Sequence, residues 1–304
     1  MEQKIFADLH NHTTASDGDF TPEQMVEQAH EKAIQVIGIT DHDTLSGLWD
    51  AIRAGRKFKV DVIPGVEVSI RFKRSCFTGT LHLLCYFSPD KLNDQAFINQ
   101  FNTILALGRG EKLVRARIDE INKIFGPGNA EALLERQMVY EDISTISCNA
   151  TRRHFALALE KTFGITDKDT INRIIGNDSP AYLPSGMELS AMAALIRSNT
   201  MVTALAHPAA GSFPGPGHYR EVLPPVEIVE QILPEFVDIG INALEVHYPG
   251  HSKDHQDLMK TWAQQYGLIL TGGSDCHDAI DRPFGVQGLS ESEFKIFKAA
   301  LKKE

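Results

Sequence analysis

Short apolar segments and amphipathic segments alternate in the first part of this sequence, and the alternation limits the folds that the chain can adopt. The segments with the composition of buried strands are KIFADL (4–9), IQVIGIT (34–40), VDVIPGVEVSI (60–70) and GTLHLLCYF (79–87). TPEQMVEQAHEKA (21–33) predicts a helix with Thr21 as N-cap, Pro22 in the first turn and Gln24 in a capping box. LSGLWDAIRAGRKF (45–58) predicts a second helix. This order indicates βα units around a largely parallel sheet.

The pattern changes in the middle of the chain, where helical segments predominate and strand-like segments are nearly absent. The segments that we predict to be helical there are 94–126, NAEALLERQM (129–138), NATRRHFALALEKTFG (149–164) and DKDTINRIIG (167–176). The βα alternation returns after residue 186. We therefore expect an inserted helical subdomain at 94–185 between two α/β parts, 1–93 and 186–304, with SFPGPGHYREVLPP (212–225) as the long loop.

Composition and charge exclude several classes of function. The 304 residues are 42% hydrophobic and carry a formal net charge of -10, so we expect no duplex DNA binding. The four cysteines form no CxxC motif, which is typical of reduced thiols in a cytoplasmic protein. No apolar segment approaches the ~18 residues of a membrane span, and the first residues lack the features of a signal peptide. We expect a cytoplasmic protein without membrane contact.

Potential metal ligands recur where the predicted strands end. A single HxH pair such as His10 and His12 is a weak signal, because short motifs also arise by chance. The carboxyl ends of strands in an α/β fold converge on one face, so a set of such residues points to one site. The whole set comprises His10, His12, Asp17, His42, Glu67, His82, His207, Asp275 and His277.

Each of these residues has an ordinary structural alternative when it is taken alone. His82 could be a hydrogen-bonded core histidine, Asp17 a turn residue and Asp275 a helix N-cap. Imidazole and carboxylate groups together suit divalent transition metals, and the recurrence from strand to strand favours a metal cluster.

The order HxH, Asp, TDH, Glu, LH, AHP and GSDxH resembles the PHP family, the polymerase and histidinol phosphatase domain of metal-dependent phosphoesterases. The resemblance covers residues 4–90 and 186–304, and TRRHFA in the helical part resembles the RPH element of small stand-alone members. It implies a distorted (β/α)7 barrel of the α/β class with a small helical subdomain inserted. It also implies two to three divalent metal ions, for which manganese, iron and zinc all suit the ligands.

The resemblance also implies how the ligands are shared. One metal would be held by His10, His12, Glu67 and Asp275, a second by Glu67, His82 and His207, and a third by Asp17, His42 and His277. The catalytic centre would then contain Asp17, His42, Glu67 and Asp275. Three divalent ions would outweigh three carboxylates, so the pocket would attract phosphate oxygens within an acidic protein.

The helical part offers candidates for substrate binding. Arg152 and His154 match the RPH element and would clamp a phosphate, since arginine suits bidentate contact. Arg153 takes the place of the proline of that element, and we interpret it as part of a solvated helix face.

Other polar residues lie near the matched motifs. Asp41 and Asp43 flank His42, and we expect them to orient ligands. A role for His247, His251 and His255 as further ligands is the less favoured interpretation.

The predicted function is hydrolysis of a small phosphorylated metabolite by a metal-activated water. A nucleotide 3′,5′-bisphosphate, the 5′ end of a short RNA or a cyclic sugar phosphate is favoured, because the segment with Arg152 and His154 matches that branch. The alternatives are a histidinol-phosphate phosphatase, a non-hydrolytic module and, more weakly, a C–N hydrolase of the amidohydrolase type.

Overall fold

Seven strands form one sheet, in chain order, in the computed structural model, which describes residues 4–147, 149–215 and 222–302. They are β1 (Ala7–Asp8), β2 (Val36–Ile39), β3 (Asp61–Lys73), β4 (Thr78–Tyr86), β5 (Val202–Leu205), β6 (Ala243–His247) and β7 (Ile269–Gly272). After β1, the Leu9 amide donates to the Gly272 carbonyl at 3.1 Å, which brings the first and last strands together. The sheet thus forms a nearly closed, seven-stranded barrel, as predicted.

The barrel is distorted because one strand runs against the others. β1, β2 and β3 pair in parallel, and so do β5, β6 and β7. β4 is antiparallel to both of its neighbours, since a tight connection returns the chain from the long β3 directly into β4. His82 accordingly does not lie at a carboxyl end: it lies within β4, opposite Ser69 of β3.

Eleven α-helices occur in the part of the chain that the structure describes. They are α1 (Pro22–Glu31), α2 (Leu48–Phe58), α3 (Gln95–Leu105), α4 (Glu111–Phe125), α5 (Tyr140–Ser144), α6 (Arg152–Phe163), α7 (Lys168–Ile175), α8 (Leu189–Ser198), α9 (Val226–Ile239), α10 (Lys253–Tyr266) and α11 (Glu291–Leu301). The capping box of α1 is confirmed: Thr21 accepts from the Gln24 amide, and the Gln24 side chain accepts from the Thr21 amide.

Two helix predictions for the middle of the chain were wrong. Segment 94–126 contains two helices, α3 and α4, which are separated at Gly108 and Gly110. Segment 129–138 is not helical. The amides of Leu133 and Leu134 both donate to the Phe125 carbonyl, so this segment folds back over the end of α4. Its helix-forming composition is overridden by these tertiary contacts.

Alternate residues of the strands divide the core of the barrel into two layers, as the pleat of a strand requires. In β4, Leu83 and Cys85 pack outward among the helices, whereas Leu84 and Tyr86 pack into the barrel interior. The aromatic face of α11 completes the interior layer. The buried members of this layer are Ala7, Leu9, Val36, Ile63, Leu84, Tyr86, Val202, Ala204, Ala206, Ala243, Leu289, Phe294, Phe297 and Leu301.

The helices α4 to α7 share a third hydrophobic cluster that contains no strand residue. Its largest fully buried side chains are Phe125 and Phe155. The preceding helix α3 packs instead with the outer barrel layer, through Phe97 and Phe101. These contacts support the proposal of a helical subdomain between the two α/β parts, with α3 packed on the barrel.

Two glycines join the ends of the segment that carries this third cluster. The Gly186 amide donates to the Gly108 carbonyl at 3.0 Å. Gly186 has a φ of 100°, and a Cβ atom at this position would lie 2.4 Å from the Ser69 carbonyl oxygen of β3. A Cβ atom at Gly108 would lie 2.5 Å from the Gly186 carbonyl carbon. The chain therefore leaves and re-enters the barrel at a contact that only glycine permits.

Other predictions concern cysteines, the long loop and membranes. Cys76, Cys85 and Cys276 are free thiols, while Cys148 lies outside the described residues. The predicted loop 212–225 lies partly outside them as well, since residues 216–221 are not described. Among the described helices, none has the length and apolar character that crossing a membrane requires.

We predict that Gly186→Ala lowers the free energy of unfolding by about 3 kcal/mol. About 1–2 kcal/mol comes from the left-handed backbone and the remainder from the clash with Ser69. Gly128→Ala is the matched control, because Gly128 also has a positive φ but has no atom within 4 Å of an added Cβ. Urea denaturation would measure both variants, and equal losses would contradict the proposed close contact at Gly186.

Candidate metal centre

The carboxylate of Glu67 lies at the centre of a buried group of histidines. Glu67 is on β3 and is 1% exposed. Nitrogen atoms of five histidines lie within 3.4 Å of its two oxygens. The distances are 3.4 Å for His10, 3.1 Å for His12, 3.1 Å for His42, 3.3 Å for His82 and 3.1 Å for His207. One carboxylate of β3 therefore connects side chains that lie on or just after four other strands, β1, β2, β4 and β5.

The first group consists of the four residues that the sequence assigned to one metal. His10 and His12 follow β1, and Asp275 follows β7. The Nε2 atoms of the two histidines are 3.3 Å apart, and they lie 3.4 and 3.2 Å from Asp275 Oδ1. Their separations from Glu67 Oε2 are of the same size, so four donor atoms surround one point.

The second and third groups share residues with the first. His82 Nδ1 and His207 Nε2 are 3.3 Å apart, and both face Glu67 Oε1. Asp17 Oδ1 lies 3.4 Å from His277 Nε2 and 3.8 Å from His12 Nδ1. One potential ligand set contains His12, Asp17, His42 and His277, and another contains His42, Glu67 and His82. His12 and His42 therefore lie between groups, which the assignment from sequence did not anticipate.

The donor atoms fit bound cations better than they fit one another. In the first and second groups, pairs of imidazole nitrogens face each other at hydrogen-bond distance. Four buried atoms in the centre have no hydrogen-bond partner among the described residues: His12 Nδ1, His42 Nδ1, Glu67 Oε2 and Asp275 Oδ1. Buried polar atoms normally have a partner. Divalent ions would satisfy the nitrogen and oxygen atoms of all three groups.

The three carboxylates of the centre stay ionised in spite of their burial. Burial raises the pKa of Glu67, but His82, His42 and His10 outweigh it and hold the pKa well below its usual range. Burial also raises the pKa of Asp275 and of Asp17, but neighbouring histidines outweigh it and hold both pKa values well below normal. Three ionised carboxylates therefore face the imidazoles before any cation binds.

The histidines divide into two classes. Burial lowers the pKa of His82 and of His277 to about 4, and it holds the pKa of His42 well below normal, so these rings are neutral. Burial opposes protonation of His10 and His12 too, but nearby carboxylates raise the pKa of His12 to about 9 and that of His10 well above normal. A cation that binds His10 and His12 would displace their protons.

Glu245 is a contact residue that the sequence reasoning missed. It is fully buried on β6. Its Oε1 accepts a hydrogen bond from His10 Nδ1 at 2.9 Å, and its Oε2 accepts one from the His207 amide at 2.7 Å. A carboxylate in the apolar strand segment NALEVHY was the available signal. Tyr248 was missed as well, and its hydroxyl donates to Asp275 Oδ2 at 3.1 Å.

Asp41 and Asp43 contact the supporting loops rather than the ligand imidazoles. Asp41 accepts from the Thr13 amide and hydroxyl at 2.7 Å each and from the Ser16 hydroxyl at 2.6 Å. It thereby shapes the loop that carries Asp17. Asp43 forms a buried ion pair with Arg109, which precedes α4. If these aspartates orient ligands, as expected, they do so by fixing the neighbouring loops and not by contacting a ligand ring.

Strained backbone accompanies the centre. His207 and Asp275 have φ values of 34° and 51°, and Asp43 has a φ of 47°. Non-glycine residues rarely adopt such values, and they persist where the surrounding structure over-determines them. The hydrogen bond from the His207 amide to Glu245 and that from the Asp275 amide to the His10 carbonyl, at 2.8 Å, are such constraints.

The start of α6 lies against the third group. His154 is buried, and its Nδ1 atom accepts from the Thr151 amide at 2.9 Å. Burial lowers the pKa of His154, and the charge of nearby Asp17 opposes that change. Arg152 donates to Asn172 Oδ1 at 3.0 Å. The interpretation of Arg153 as a solvated helix face was wrong, because its guanidinium forms ion pairs with Asp19 and Asp278.

The three further histidines have other contacts and belong to none of the three ligand groups found among the described residues. His247 Nε2 lies 2.8 Å from Glu293 Oε1. His251 accepts from the Ala209 amide, and burial lowers its pKa to about 3. His255 belongs to the capping box of α10. Their contacts are structural.

Comparison with known proteins identifies relatives of similar length. The chain is 26% identical to a 3′,5′-nucleoside bisphosphate phosphatase of Chromobacterium violaceum over 278 residues, which cover 89% of this chain and 86% of that protein. It is 26% identical to a phosphoribosyl 1,2-cyclic phosphate 1,2-diphosphodiesterase of Eggerthella lenta over 292 residues, 91% and 96% of the two chains. It is 27% identical to a 5′-3′ exoribonuclease of Escherichia coli over 286 residues, 90% and 85%.

Solved structures share the fold over almost the whole chain. A protein of Bifidobacterium adolescentis assigned as a metal-dependent phosphoesterase has a TM-score of 0.74 at 21% identity, covering 99% of this chain and 97% of its own. A protein of Chromobacterium violaceum named an amidohydrolase has a TM-score of 0.71 at 22% identity, covering 97% and 96%. The family model of the PHP domain matches residues 8–100, which include six of the nine proposed ligand positions, among them the central Glu67. Residues 8–100 therefore match the PHP domain, and the whole chain shares its fold with a protein assigned as a metal-dependent phosphoesterase.

Proposed function

We propose that this protein hydrolyses phosphate esters of small phosphorylated metabolites, with divalent metal ions held by the three groups around Glu67. The observation that carries the proposal is the convergence of buried imidazole and carboxylate donors whose geometry leaves four atoms without a hydrogen-bond partner among the described residues. Bound divalent ions supply Lewis acidity toward a phosphoryl oxygen and activate a water for attack on phosphorus.

The proposed ligands are the nine residues expected from the sequence, with Asp17, His42, Glu67 and Asp275 at the catalytic centre. Neutral His42, His82 and His277 are ready to donate a ring nitrogen. Glu67 would bridge ions, because each of its oxygens faces a different set of histidines. Manganese, iron and zinc all suit this mixture of nitrogen and oxygen donors.

Glu245 and Tyr248 would orient ligands from outside the three groups. The hydrogen bond from His10 Nδ1 to Glu245 fixes the ring so that Nε2 faces the first group. Tyr248 occupies one carboxylate oxygen of Asp275 and leaves Oδ1 directed at the same group. Both residues therefore favour the ligand geometry before an ion arrives.

The substrate would reach the centre beside the start of α6. Arg152 and His154 would contact a phosphate there, since they lie at the helix start next to the loop of Asp17. The named activities of the relatives all concern phosphate esters of nucleotides, RNA or a sugar. We propose a nucleotide 3′,5′-bisphosphate, a short RNA 5′ end or a cyclic sugar phosphate as substrate, and a cytoplasmic location, where such metabolites occur.

The first test concerns metal content. Purified protein should contain two to three divalent ions per chain, and removal by chelation should abolish release of phosphate from a panel of phosphorylated metabolites. Asp275→Asn should lower metal affinity by more than about 100-fold and activity with it. Asp257→Asn, at an exposed site on α10, is the control. Elemental analysis that finds no metal, with no activity restored by manganese or zinc, would contradict the function.

The second test separates substrate binding from metal binding. Arg152→Ala should raise KM by about tenfold or more, because a charged hydrogen bond to phosphate is lost, and should leave the ion count unchanged. Arg115→Ala, which removes an exposed arginine of α4, serves as control. Loss of metal in Arg152→Ala would show that this residue supports the ligand groups instead.

The third test concerns Glu245. Glu245→Gln should weaken metal binding about 10- to 100-fold, because a glutamine cannot accept hydrogen bonds from both His10 and the His207 amide. Competition with a chelator would measure the affinity, and Glu230→Gln, which changes the partner of Trp262, is the control. Unchanged metal affinity in Glu245→Gln would remove this residue from the centre.

A further inference from the structure

Arg153 links the helical part of the chain to two loops of the barrel. It is the second residue of α6, and 26% of its side chain is exposed. Its Nη2 atom lies 3.0 Å from Asp19 Oδ1, and its Nη1 atom lies 3.3 Å from Asp278 Oδ2. A single guanidinium therefore contacts carboxylates that are far apart in the sequence and adjacent in space.

The two aspartates lie directly beside ligands of the third group. Asp19 follows Asp17 by two residues, and Asp278 is the residue after His277. The Asp19 amide donates to the His277 carbonyl at 2.7 Å, so the two loops are already joined. A force on either carboxylate is thus transmitted to the backbone of a proposed metal ligand.

Asp278 is itself fixed within its loop. Its Oδ1 accepts hydrogen bonds from the amides of Ile280 and Asp281, at 2.9 and 2.6 Å, while Oδ2 faces Arg153. One carboxylate oxygen thereby holds the turn after His277, and the other holds α6. The contact is specific in geometry as well as in charge.

The charge at the start of α6 requires such partners. The helix begins with Arg152 and Arg153, and it has no acidic residue in its first turn. Cations at a helix N-terminus oppose the helix dipole. Asp19 and Asp278 compensate Arg153 from outside the helix, which favours docking of the helix start on the barrel loops.

We propose that Arg153 is a positioning residue, which fastens the start of α6 to the loops of Asp17 and His277. It thereby sets the ion affinity of the third group (Asp17, His42 and His277) and the distance of Arg152 and His154 from that group. The inference rests on the proposed role of this group as a metal site. It gives the helical part a function in metal binding besides its contribution to substrate binding.

A double-mutant cycle tests the proposal. Arg153→Met removes the charge and keeps the aliphatic stem, and Asp278→Asn removes the opposite charge and keeps the acceptor for the turn. Each change should lower the affinity of the weakest-bound ion about tenfold, measured by manganese titration of metal-free protein, and raise KM without an equal change in kcat. The double variant should be no weaker than Arg153→Met, because that change has already removed the contact with Asp278.

Two further variants control for folding. Arg153→Lys should recover part of the affinity, since it restores a cation in the same place. Arg173→Met, which removes an exposed ion pair with Glu131 within the helical part, should leave the ion affinity unchanged. If Arg153→Met fails to fold, as judged by circular dichroism, the nearly isosteric Asp278→Asn tests the proposal alone.

The outcomes separate this inference from the proposed function. Wild-type affinity for the third ion in Arg153→Met and in Asp278→Asn would overturn the inference, and so would losses that add in the double variant. A wild-type protein that binds two ions or fewer would overturn the third group and the inference together. Three ions bound without phosphate release from any substrate would overturn the proposed function, and the affinity data would still decide the role of Arg153.

Discussion

The contact of Glu67 with five imidazoles is the interaction on which the rest of the structure depends. A carboxylate that is 1% exposed has lost its hydration, and without partners it would be too costly to ionise. Nitrogen atoms from His10, His12, His42, His82 and His207 replace that hydration. The folded barrel therefore brings residues of β1, β2, β4 and β5 together around one side chain of β3.

This requirement explains why strain and supporting contacts concentrate at the same face. His207 and Asp275 hold unfavourable backbone angles, and the amide of each donates to a group within or beside the centre. Glu245 holds residues that follow two different strands, because it accepts hydrogen bonds from the His10 ring after β1 and from the His207 amide after β5. Rigid surroundings keep ligand atoms at fixed positions, which lowers the cost of organising them when a cation binds.

Much of this arrangement could be predicted from the sequence because ligands and strands follow simple periodic rules. His10, His12 and His42 follow apolar strands, and parallel strands place such residues on one face. His82 did not follow the rule, since β4 is antiparallel and its pairing with β3 sets the position. The helix predicted at 129–138 failed because its amides bond to the end of α4.

Other features of the site depend on contacts across long stretches of sequence and carry no local signal. Nothing near Arg153 in the sequence indicates Asp19 or Asp278 as its partners. Glu245 is one acidic residue in a strand, and its importance follows only from the ring that it faces. Tertiary hydrogen bonds of this kind decide which polar residues of a matched motif are ligands, supports or surface groups.

The contact between Gly108 and Gly186 has a consequence for how proteins of this architecture can diversify. The Gly186 amide and the Gly108 carbonyl oxygen are 3.0 Å apart, so the two ends of the intervening segment meet at one place on the barrel. The segment is therefore a closed loop on the barrel, whatever its length. The entropy of closing a loop grows only slowly with its length. Insertions, deletions or replacement of whole helices there can remodel the entrance to the pocket while the strand registers beneath keep the cation ligands in place. Substrate range and metal chemistry can thus evolve on separate stretches of one chain.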